Sequence, residues 1–69
     1  MMSIKSTVLI EKEENWFVAT SVETGVASQG KSINEAMDNL REALELYFED
    51  NAPIETNRQI FVTTMEVAV

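Results

Sequence analysis

Residues 30–53 carry a complete helix signal, and the rest of a 69-residue chain has to fit around it. Ser32 is a favourable N-cap, because its hydroxyl can accept from an unpaired N–H of the first turn. Glu35, three residues on, can reach back to the Ser32 N–H and complete a capping box. Ile33, Ala36, Met37, Leu40, Ala43, Leu44, Tyr47 and Phe48 then recur at offsets of three and four, which places them on one apolar face. Asn51 suits the left-handed residue that ends a helix, and Pro53 cannot continue one.

The opposite face is acidic. Glu35, Asp38, Glu42, Glu45, Glu49 and Asp50 face a single base, Arg41, so this segment holds −5 of the chain's net −7. The like-charged pairs Asp38–Glu42 and Glu45–Glu49, each four residues apart, oppose helix formation by about 0.2–0.5 kcal/mol apiece. Glu49 and Asp50 also sit at the negative end of the helix dipole, where cations would be favoured. A solvated face that keeps a small protein soluble accounts for part of this pattern. A surface matched to a basic partner accounts for the local costs as well.

A chain of 69 residues is one domain, residues 1–69, and buries only about 60 % of its unfolded surface. With no cysteine and no histidine, neither a disulfide nor a zinc site adds stability, so self-association or a permanent partner is expected to. The hydrophobic fraction of 45 % is that of a globular protein. No run of about 18 apolar residues and no charged-then-apolar leader pattern occurs, so a cytoplasmic protein without a membrane role is expected. A pI near 4.3 disfavours direct contact with nucleic acid and favours a basic protein as partner.

Residues 4–12 read as a strand, with Ile4, Val8 and Ile10 on one face and Leu9 on the other. Glu13, Glu14 and Asn15 form a short polar break. Residues 16–22 alternate again, Trp16, Val18, Thr20 and Val22 against Phe17, Ala19 and Ser21. Gly25 supplies a turn, residues 26–29 a short third strand, and Gly30 the freedom to swing into the helix. Residues 58–69 are rich in β-branched side chains and read as a fourth strand. The order is β-β-β-α-β, an α+β fold. An antiparallel meander is followed by a right-handed crossover, which brings the last strand beside either the first or the third. One helix covers one sheet face; the other is expected to present Leu9, Phe17, Ala19, Phe61 and Met65 to solvent, a partner or a second copy. Trp16 and Tyr47 read as core aromatics.

Catalytic groups are missing. Without His or Cys a nucleophile–base pair cannot be assembled, and Gly25 and Gly30, the only glycines, make no phosphate loop. Carboxylate-held metal would need converging acids, yet Asp38 and Asp50 stand about 18 Å apart along the helix axis. No enzyme activity, cofactor or metal is expected.

The Trp16-Phe17-Val18-Ala19 strand, the Gly25-Val26-Ala27-Ser28-Gln29-Gly30 turn, and the helix carrying Glu35-Ala36, Asn39-Leu40, Glu42-Ala43-Leu44 and Leu46-Tyr47 together resemble the HicB antitoxin family. The likeness covers residues 5–50 closely and the last strand in character. It implies a partial, catalytically degenerate ribonuclease-H-like β-β-β-α-β unit with the fourth strand beside the first. It also implies a small basic partner, a HicA-like mRNA-cleaving toxin with a catalytic histidine, whose active or RNA-binding surface the antitoxin occludes. Many family members add a ribbon-helix-helix or helix-turn-helix segment. No such segment lies within these residues, so direct DNA binding is not expected; as a separate departure, residues 21–25 lack the Pro-Glu-Leu-type turn often seen in the family. The expected function is therefore an antitoxin-type binding module that contacts its toxin through Glu35, Asp38, Glu42, Glu45 and Glu49. The alternatives are a solitary HicB-like oligomerising scaffold with another protein partner and a residual Mg²⁺-dependent nuclease dependent on Asp38.

Overall fold

The structure is a computed structural model that describes residues 3–51 and 59–69. Three strands, β1 (Val8–Glu13), β2 (Trp16–Ser21) and β3 (Ala27–Gly30), form an antiparallel sheet in the order β1-β2-β3, and α1 (Ile33–Asp50) lies over one face. The architecture is α+β. The helix rests mainly on β2 and β3.

The helix starts as its sequence requires. Ser32 Oγ accepts from the Glu35 N–H at 3.1 Å. The Glu35 carboxylate accepts from the N–H of Lys31, also at 3.1 Å, one residue earlier than a capping box would place it. Asn51 does not adopt the left-handed conformation expected of it. At φ −127° it is extended, and both its backbone N–H and its side-chain amide donate to the Tyr47 carbonyl, the side chain reinforcing the last helical hydrogen bond.

Sheet parity differs from the expectation. Phe17 and Ala19 turn towards the helix, not outward with Leu9. The cause is the hairpin: Glu13 pairs with Trp16, leaving a two-residue loop, Glu14-Asn15, in place of a three-residue break. Each strand residue then pairs with one of opposite parity. Val8 faces Ser21, Ile10 faces Ala19, and Lys12 faces Phe17 on the helix side; Leu9–Thr20 and Glu11–Val18 lie outside. Glu14 takes φ 50° to make the turn. Trp16, expected in the core, is exposed at the hairpin end, with the Lys31 ammonium 6.0 Å from its ring centroid. Tyr47 is half-buried on the helix stripe.

The core is small. Ala19, Ala36 and Leu40 are fully buried, ringed by Val8, Phe17, Val26, Met37 and Leu44. Two contacts set the helix on the sheet. Asn39 Nδ2 donates to the Gln29 carbonyl at 2.8 Å, and Gly30 passes beneath the first helical turn. Gly30 is needed for this close approach, since a side chain there would meet backbone. The glycine that uses its freedom of φ is Gly25, at 78°.

A polar chain ties the start of β1 to the β2–β3 connection. Ser21, fully buried, shares a 2.7 Å hydrogen bond with Ser6. Ser6 Oγ and the Thr7 N–H both donate to one Glu23 oxygen, at 3.1 and 2.8 Å. Ser6 has one hydroxyl proton and gives it to Glu23, so Ser21 donates to Ser6. Burial alone would raise the Glu23 pKa, but the hydrogen bonds from Thr7 and Ser6 outweigh it and hold the carboxyl below its ordinary 4.5. A depressed folded-state pKa adds stability that is present above 4.5 and is lost as pH falls through the folded value. Glu23→Gln is expected to lower unfolding free energy by about 1 kcal/mol at pH 7, after allowing for solvent screening. In denaturant titrations the gap from wild type should shrink as pH drops below 4.5. A gap independent of pH would rule out the charged hydrogen bond as its source.

The fourth strand expected over residues 58–69 is not part of this sheet. Position 58 lies outside the described residues. Residues 59–69 run as an irregular segment with no backbone hydrogen bond to β1, β2 or β3 among the described residues. Phe61 and Met65, expected on the outer sheet face, are 86 % and 85 % exposed on this arm.

Candidate functional site

The five expected contact residues come together. Glu35, Asp38, Glu42, Glu45 and Glu49 follow offsets of 3, 4, 3 and 4, so they share one stripe of α1, and all five are exposed. That stripe lies opposite the side on which Ala36 and Leu40 are buried. The residues differ in what already holds them. The Glu35 carboxylate is engaged by the Lys31 N–H. Asp38 lies 3.6 Å from Arg41 in an exposed pair, worth little in water. The remaining three carry their charge free of any ion pair among the described residues, and no base stands in the last helical turn.

Leu46 enters the family resemblance but was not expected among the contact residues, and the structure leaves it exposed on the helix. It is 59 % exposed, and helical spacing puts Glu42, Glu49 and Asp50 three or four residues from it. Its signal was available: Leu46 is a large apolar residue that the core stripe does not use.

Beside the acidic stripe, between α1 and the free edge of β1, lies an open cleft of about 500 Å³. Ile4, Ser6 and Val8 line its sheet side. Met37, Leu40, Leu44 and Phe48 line its helix side, with Arg41 and Glu45 at the rim. It exists because the helix sits over β2 and β3 and leaves the β1 side of the layer uncovered. Sequence pattern alone could not show it, since its lining residues read as ordinary core.

The surface combines an exposed row of carboxylates, an exposed leucine and an apolar cleft. Among the described residues no group of acids is placed to hold a metal ion, and no helix is long and apolar enough to cross a membrane.

Comparison with known proteins places the chain by family. Residues 3–67 match the profile described as "Family of unknown function (DUF7387)". A "UPF0150 protein" of Archaeoglobus fulgidus is 35 % identical over 66 residues, covering 93 % of this chain and 96 % of the relative. A second "UPF0150 protein", from Helicobacter pylori strain J99, is 49 % identical over 43 residues, covering 61 % of this chain and 60 % of that protein. No solved structure matches the chain. By the extent of the first two matches, the chain belongs to this family of unknown function and is a relative of the UPF0150 proteins.

Proposed function

We propose that this protein is an antitoxin-type binding module of the HicB kind, which neutralises a small basic HicA-like ribonuclease by covering its active or RNA-binding surface. The observation that carries this reading is the single stripe of Glu35, Asp38, Glu42, Glu45 and Glu49 on the exposed face of α1, with Leu46 set among the acids. A row of carboxylates mimics the charge of an RNA backbone and steers a cationic surface towards it. Leu46 supplies apolar contact where charge alone gives little affinity. The helix tolerates like-charged neighbours and an acidic C-terminal turn, costs a purely structural helix would avoid. The proposed fold is the partial ribonuclease-H-like unit in which residues 59–69 supply a fourth strand beside β1. The protein acts in the cytoplasm by occlusion, without chemistry, cofactor or DNA contact of its own.

Tagged chain used as bait in lysate of the source cells should co-elute with a basic protein of under about 100 residues that cleaves RNA once separated. Glu42→Lys with Glu45→Lys should slow association with that protein by about ten-fold or more at low salt and flatten its salt dependence. An unchanged on-rate would remove the acidic stripe from the interface. Elution of the bait's own oligomer alone, at low and high salt, would favour a solitary scaffold domain instead. RNA cleavage by the purified chain that needs Mg²⁺ and is lost in Asp38→Asn would replace both readings with a nuclease.

A further inference from the structure

Three features remain unmatched within one molecule. The first is the β1 edge, which pairs with β2 on one side and with nothing on the other among the described residues. The second is the cleft beside that edge, floored by Val8, Met37, Leu40 and Leu44. The third is the arm, residues 59–69, in which Phe61, Val62, Met65, Val67 and Val69 are all exposed. A strand edge with free N–H and C=O groups next to an apolar cleft is a template for an added strand. The arm has the matching pattern: odd positions Phe61, Met65, Val67 and Val69 fall on one face of an extended chain, with Thr63 between them.

We propose that the arm of one molecule lies on the β1 edge of a second copy, with the Phe61–Met65–Val67 face in that copy's cleft, and that the second arm returns the exchange. The occupant is a second copy because the arm stands off its own sheet while the cleft that would take it stays open. The composition argues the same way. With three hydrophobic residues fully buried among the described residues, the core is small, and reciprocal exchange fills both clefts and closes both edges in one two-fold assembly. The arm brings one charged side chain, Glu66, to the edge it would join. This inference rests on the β1-edge position proposed above for residues 59–69 and adds which molecule supplies them.

The test uses the full chain as an equal mixture of ¹³C,¹⁵N-labelled and unlabelled protein. Isotope-filtered nuclear Overhauser spectra are expected to show contacts between residues 7–11 of one molecule and 61–67 of another, in a species of dimer size by light scattering. The same contacts within one labelled molecule, in a monomer, would overturn the exchange and leave the fourth-strand position intact. No contact between these segments would overturn both. As a second variant, Phe61→Asp changes an exposed arm residue that the three-stranded body does not need for folding. It is expected to raise the dimer dissociation constant about ten-fold or more while far-ultraviolet dichroism of the body is kept. A dimer as tight as wild type would contradict the placement of Phe61 in the cleft.

Discussion

Leu40→Ala is expected to lower unfolding free energy by about 2–5 kcal/mol, the cost of deleting a large buried aliphatic side chain and leaving a cavity. Leu40 is 1 % exposed and is the largest fully buried side chain among the described residues. It packs with Ala19 and Ala36, which have little volume to collapse into the space left behind. A domain of this length holds roughly 3–10 kcal/mol in all. The variant should therefore melt at or near working temperature, with the loss read from denaturant titration. Leu46→Ala, on the exposed side of the same helix, should change stability by no more than about 0.5 kcal/mol. Equal losses at the two positions would mean that the helix does not present the faces described.

The second large effect is at Gly30. An added Cβ would stand 2.5 Å from the Ala36 nitrogen and 2.8 Å from the Glu35 carbonyl carbon, both backbone atoms of the first helical turn. Neither can move without lifting the helix from β3 or breaking its cap at Ser32. Gly30→Ala is expected to cost about 3 kcal/mol, at the upper end for overpacking, and to lower the melting temperature by roughly 12–24 °C in a domain this small. Gly25→Ala separates space from conformation. Nothing lies within 4 Å of its added Cβ, but φ is 78°, so its cost should stay near 1–2 kcal/mol. A Gly25 variant less stable than the Gly30 variant would contradict the close approach.

These two residues also show what the sequence could reveal. The helix was legible because its signals are local: the Ser32 cap and the apolar stripe each act over spacings of three or four residues. The turn-and-helix motif that suggested a family has a structural explanation. Gly30 lets the helix approach, Asn39 bonds to the Gln29 carbonyl, and Ala36 and Leu40 fill the core. These members of the motif therefore specify how the helix seats on β3. The faces of β1 and β2 were not legible, because one residue more or less in the Glu14-Asn15 loop reverses the parity of every pair. Nor was Gly30's role, since a glycine needed for space and one needed for φ read alike. The cleft depends on where the helix lies across the sheet, which periodicity does not encode.

The acidic stripe was legible as charge and as helical spacing, and the structure adds that exposed Leu46 flanks it and that the β1 cleft adjoins it. Neutralisation of a ribonuclease tests the account most directly. RNA cleavage by the proposed basic partner, once stripped from the chain, would be followed as purified chain is added back. Cleavage should fall to background as the chain saturates the toxin at a fixed stoichiometry, with a clear excess of the Glu42→Lys, Glu45→Lys variant needed for the same effect. Cleavage that continues undiminished in saturating wild-type chain would contradict the account.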